Sequence, residues 1–137
     1  MRFKKLSEFN FSDFAPSYDA SKVFYARIDP DIYSSDELLK SLYYILWFPG
    51  YFGFNWNALH DCLGDFGWIS CRKVVLVHES LPKLPEMELK IYLEVLRDSV
   101  LNWSNKEEHE FEVFFRSVDR SEVARILGDW NLRDGGT

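Results

Sequence analysis

Asp61 directly follows His60 and stands four residues after Asn57, inside the stretch FPGYFGFNWNALHDCLGDF, residues 48–66. A carboxylate beside an imidazole could move a proton. A carboxylate alone could present negative charge to a cationic partner. The aromatic residues around it could stack on bases. Proton transfer is the weakest of the three, because adjacent helix residues point about 100° apart and do not face each other. No Ser or Cys is placed beside a base and an orienting acid that would activate it. His60, His78 and His109 show no zinc-ligand spacing with the cysteines or carboxylates. No glycine loop followed by Lys-Ser or Lys-Thr is present to cradle phosphate. The chain therefore reads as a non-enzyme that needs neither metal nor cofactor.

Asn57 and Asp61 share one face of a helix, and Leu59, Cys62 and Leu63 lie toward the other side. His60 borders the Asp61 face. Gly50 and Gly53 flank Tyr51 and Phe52. Glycine permits backbone conformations closed to other residues, so both aromatics are expected at the tip of a tight turn. Six aromatics, three glycines and two asparagines in this stretch suit neither a core segment nor a solvated loop. The mixture reads as a contact surface. Ordinary solvated helix positions would carry the same polar residues, so composition alone leaves both readings open.

The elements that must hold this stretch are legible on either side of it. Val23–Ile28 is β-branched and aromatic and closes on Asp29-Pro30, which predicts a strand. Ser34-Ser-Asp-Glu37 is a capping box, and Leu38, Leu42, Ile45 and Leu46 continue as an apolar stripe. Pro49 disfavours helix at Phe48, so this helix should stop at about Trp47. Asn55 is a good N-cap for a short second helix to about Leu63, with Phe54 and Leu59 placed as a hydrophobic staple and Gly64 as its stop. Lys73–His78 is apolar without alternation, as in a central strand covered on both faces. A long helix follows over about 86–103, with Leu89, Leu93, Leu96, Val100 and Trp103 on its buried side. Glu110–Arg116 reads as another strand and Ser121–Leu127 as a terminal helix. Residues 1–20 read as an irregular or short-stranded extension, and 133–137 as frayed. Helices between consecutive strands imply a small parallel α/β sheet of three strands with three to four helices.

With 137 residues, 47% of them hydrophobic, the chain has material for one domain with a single core. Its net charge of −6 argues against direct nucleic-acid binding and fits a basic partner as well as ordinary solubility. No apolar run of signal-peptide or membrane-spanning length is present, so a cytoplasmic protein is expected. Cys62 and Cys71 then read as reduced thiols.

The stretch FPGYFGFNWNALHDCL resembles the signature of the barstar family: a proline, two aromatics, glycine, then Asn-x-Asp-Ala-Leu-Trp-Asp-Cys-Leu. Pro49, Tyr51, Phe52, Gly53, Asn55, Ala58, Leu59, Asp61, Cys62 and Leu63 stand in the same order and spacing. Looser similarity continues through Val74–Val77 and LEVLRDS, residues 93–99. The resemblance implies a three-stranded parallel sheet packed with helices, extended here by residues 1–20 and by a C-terminal helix and tail over 117–137. It implies a ribonuclease inhibitor, monomeric when free, that binds a basic ribonuclease toxin one-to-one as an immunity protein. By that resemblance Asp61 enters the cationic pocket that normally holds substrate phosphate. Tyr51 and Phe52 pack on the enzyme rim beside Asn55, Asn57 and His60, and Asp98 adds a contact from the later helix. Asn57 stands where the family often has Asp, and His60 where it often has Trp. Those two changes imply a different toxin from the one the best-known member inhibits.

Overall fold

The computed structural model describes residues 8–128. The elements run β1 (Asn10–Ser12), β2 (Val23–Ile28), α1 (Ser35–Ile45), α2 (Trp56–Leu63), β3 (Lys73–His78), α3 (Glu86–Trp103), β4 (Glu110–Arg116), a 3-10 turn (Ser117–Asp119) and α4 (Arg120–Leu127). The expected frayed tail at 133–137 lies outside the described residues.

Local sequence accounts for most boundaries. The Ser34 hydroxyl accepts the Glu37 amide at 3.1 Å, while the Glu37 carboxylate accepts from the Tyr33 amide at 2.8 Å, one residue before the position a capping box predicts. Leu38, Leu42 and Leu46 are fully buried on the inner stripe of α1. The helix closes at Ile45, two residues before Trp47, because Trp47 takes a left-handed φ of 58°. Pro85 opens α3, whose inner face buries Leu89, Leu93, Leu96 and Val100.

The sheet has four strands in the order β1-β4-β3-β2, all parallel, where three were expected. The added strand lies in the N-terminal extension. Only three residues long, β1 is held on the edge of β4 by its Phe11 and by Phe9 just before it. Phe9 and Phe11 pack on Phe115 at 5.1 and 5.9 Å between ring centres. The four helices and one sheet face share the main core, which includes Ala26, Val74, Leu76, Val113 and Phe115.

The opposite face is covered without helices. Residues 13–22 cross it from the β1 edge to the β2 edge and lay Tyr18 on Val23, Val75 and Val77, beside the half-buried Tyr25 and Phe114 of the strands themselves. The Tyr18 hydroxyl donates to Glu112 at 2.9 Å, and Lys73 pairs with the same carboxylate at 3.1 Å while lying over the Tyr18 ring. This strap runs against the direction of the helical crossovers and on the other face of the sheet. Reversing both keeps the same hand of connection. Both faces of β3 are covered, as its apolar run predicted, but by different kinds of structure.

His78, at the end of β3, is fully buried in the main core. Its Nδ1 lies 3.1 Å from the Phe114 carbonyl and its Nε2 2.6 Å from the Tyr92 hydroxyl. With Nδ1–H donating to the carbonyl, Nε2 is left to accept from Tyr92, so the neutral ring satisfies both contacts. Burial holds its pKa down at about 4, against a weaker opposing effect of the Phe114 carbonyl.

Candidate partner-binding site

After α1 the chain turns at Pro49, with the Phe52 amide donating to the Pro49 carbonyl at 3.0 Å. Asn55 then starts α2. Its side-chain oxygen accepts the Ala58 amide at 2.8 Å and its amide nitrogen donates to the Gly53 carbonyl at 3.3 Å. A Cβ at Gly53 would approach that amide nitrogen to 3.3 Å, so the small residue leaves room for the cap. Asn55→Ala is expected to cost about 1 kcal/mol. Thermal denaturation should register it as a fall of about 4 °C in Tm, whereas Asn55→Asp, which keeps the acceptor, should retain most of the stability.

Leu59, Cys62 and Leu63 anchor α2 to the core. The Trp103 indole donates to the Leu63 carbonyl at 2.7 Å, and Trp56 packs on Tyr92 at 6.1 Å. The two contacts show α2 lying alongside α3 in the same direction. Asn57, His60 and Asp61 are exposed on the outer side of α2, and Asp98 is exposed on α3 between the two anchoring contacts. Among the described residues Asp61, Asn57, His60 and Asp98 have neither an ion pair nor a side-chain hydrogen bond. By contrast, Glu79, Glu86, Glu110, Glu112 and Glu122 all pair with cations.

Beside Asp61 lies an open hollow of about 300 Å³, walled by Tyr51, Asn55, Asn57 and Asp61 with the buried Phe52 and Cys62 behind them. Its potential is negative. Burial first, then the Asp65 and Asp61 carboxylates, push the Cys62 thiol up to about 11. The Tyr51 phenol is also raised, by local desolvation first and then by Cys62 and the same two carboxylates. A hollow of this kind favours a cation and disfavours a phosphate.

Three expectations need correction. Phe52, expected beside Tyr51 at the tip, is only 4% exposed and packs on Phe48 at 4.8 Å and Phe54 at 4.9 Å. It therefore backs the hollow without offering a ring face, while Tyr51 is 72% exposed. Phe54, expected inside as the staple partner of Leu59, is 41% exposed. The unusual backbone conformations fall on Trp47, Phe54 and Phe66, with φ of 58°, 53° and 54°, and not on Gly50 or Gly53. Asp65, outside the expected site residues, acts on the hollow through its charge. It lies just past the Gly64 cap that ends α2, so helical spacing does not reach it and only the turn there brings it near. Among the described residues no group of three His, Cys, Asp or Glu side chains is placed to hold a metal ion. No helix among them is long and apolar enough to cross a membrane.

The structure is a parallel α/β sheet packed with helices, and its short helix α2 carries the exposed Asp61 without an ion pair among the described residues. The family model Barstar (barnase inhibitor) matches residues 23–116, from the start of β2 to the end of β4, and the chain belongs to the barstar family. The match contains α2 and its hollow whole, and leaves β1, the strap and α4 outside. Comparison with curated proteins and with solved structures gives no match.

Proposed function

We propose that this protein inhibits a ribonuclease by inserting Asp61 into the cationic site where the enzyme holds its substrate phosphate. The observation that carries the reading is an exposed carboxylate with no internal partner, set beside a negative, aromatic-walled hollow, in a chain of the barstar family. A ribonuclease must gather Arg, Lys and His to stabilise a phosphate in flight. A carboxylate held rigidly at the right depth accepts the same hydrogen bonds as that phosphate. The α2 helix supplies the rigidity through its Asn55 cap and its anchors on α3.

The complex is one-to-one, with Asp61 central, Asn57 and His60 on the same helix face, Tyr51 on the rim and Asp98 as a second anionic contact. The net charge of −6 adds long-range attraction for a basic enzyme. Biologically the protein acts as an antitoxin or immunity protein in the cytoplasm, where a toxic ribonuclease would meet cellular RNA.

The test is inhibition of a panel of barnase-type ribonucleases, barnase included, together with any nuclease encoded beside this chain. Wild type should abolish RNA cleavage at equimolar ratio and restore growth on co-expression with the cognate enzyme. The distal variant Glu108→Ala should do the same. Failure against every enzyme, coupled with salt-sensitive binding of single-stranded RNA by the free protein, would replace this reading with base stacking on Tyr51.

A further inference from the structure

We propose that Tyr44, Trp47 and Phe54 form a second, aromatic wing of the inhibitory surface, which receives a Lys- or Arg-bearing rim of the same ribonuclease that takes Asp61. This inference rests on the function proposed above and extends its contact area onto the end of α1.

The three left-handed aromatics separate into two kinds. Phe66 has a φ of 54°, but its ring is fully buried and stacks on Trp103 at 5.8 Å and 12°. Packing accounts for that conformation. Trp47 has a φ of 58° just past the end of α1, the position where helices most often place glycine. Its ring is 74% exposed, so the free protein gains little packing to offset the strained backbone. Phe54 combines a φ of 53° with 41% exposure. Tyr44 is 73% exposed, and its carbonyl accepts the Trp47 amide at 3.4 Å, so the two residues close the same helix end.

The wing is continuous with the hollow. Phe52 backs the hollow and touches Phe54 at 4.9 Å; Phe54 touches Tyr43 at 5.1 Å; Tyr43 touches Tyr44 at 5.1 Å. Unbroken ring contact thus runs from the wall of the candidate site to the exposed end of α1. Exposed aromatic faces attract ammonium and guanidinium groups, which a basic nuclease carries around its active site. Large aromatics at such positions are also the residues that most often dominate binding. The occupant is therefore the rim of the partner enzyme, and a second copy of this acidic chain fits the surface less well.

Two variants and three readouts test this. Trp47→Gly removes the ring and relaxes the backbone, so it should raise Tm by about 3 °C. The same variant should weaken ribonuclease binding roughly tenfold. Tyr44→Gln, a good helix former, should leave Tm unchanged and weaken binding several-fold. A fall in Tm for Trp47→Gly would make Trp47 a structural residue and overturn the proposal. Unchanged affinity in both variants, with binding still lost in Asp61→Ala, would overturn the wing and leave the inhibitory site standing. A wild-type dimer in sedimentation that Trp47→Gly dissolves would assign the surface to a second copy instead. If no ribonuclease of the panel binds wild type, the proposed function itself falls and this inference falls with it.

Discussion

Asp61→Ala is expected to weaken binding of the target ribonuclease by at least a hundredfold, about 3–5 kcal/mol. Much of that loss arises on the enzyme. With the carboxylate gone, the cations that faced it stay buried in the complex without a partner, and that is costlier than the loss of one contact. Asp61→Asn keeps the shape and part of the hydrogen bonding but not the charge, so it should fall between wild type and alanine. Asp98→Ala, at the periphery, should cost less, and much of its effect should appear in the association rate and its salt dependence. The free protein should barely notice the change at Asp61, because that side chain has no internal hydrogen bond or ion pair among the described residues. Thermal melts should overlay within about 0.5 kcal/mol. Titration calorimetry of the three variants decides the matter. Affinity for Asp61→Ala within threefold of wild type would remove Asp61 from the centre of the interface.

The second large effect is on stability. Between pH 7 and pH 4 the fold should lose about 3 kcal/mol through His78 alone. The direction follows from proton binding. In the unfolded chain His78 takes up a proton near its ordinary pKa of about 6.5. In the folded chain, burial delays that uptake to about pH 4. Over this window the unfolded state binds more protons, so stability is complete above about pH 6.5, declines as pH falls, and levels off below about pH 4. Protonation would also require Nε2 to donate where it now accepts from the Tyr92 hydroxyl. Asp19, held by Ser21, and Glu122, paired with Arg125, have lowered pKa values, so their own losses begin only as pH falls toward their ordinary values of 3.8 and 4.5. Urea denaturation from pH 7 to 4.5 should therefore report mainly the histidine. His78→Gln, which can still hydrogen-bond but does not titrate, should flatten the profile. An equally steep profile in that variant would assign the acid sensitivity elsewhere.

The strands and the long helix were legible because each carries a complete local signal. Lys73–His78 and Glu110–Arg116 are apolar or alternating runs with sharp ends, and Ser34 and Asn55 are caps that need only their own neighbours. The Asp61 face was legible for the same reason, since helical spacing separates it from Leu59, Cys62 and Leu63. β1 was not. Three residues carry no period, and Asn10–Ser12 becomes a strand only because β4, far along the chain, offers an open edge and Phe115 a surface for Phe9 and Phe11. The exchange of roles between Phe52 and Phe54 was equally hidden. It depends on a left-handed turn at Phe54, where sequence favours glycine, and the cluster around Tyr43 and Phe48 decides which ring goes inward.

The strap over residues 13–22 has a practical consequence for anyone trimming this chain to the part that matches its family. A fragment trimmed to residues 23–116 would keep the sequence of α2 and α3 but lose α4 from the main core and Tyr18 from above Val75 and Val77. The back of the sheet would become wet, and the trimmed protein is expected to self-associate through it. Residues 8–22 thus cover one edge and the rear of the sheet, and they belong in any minimal version.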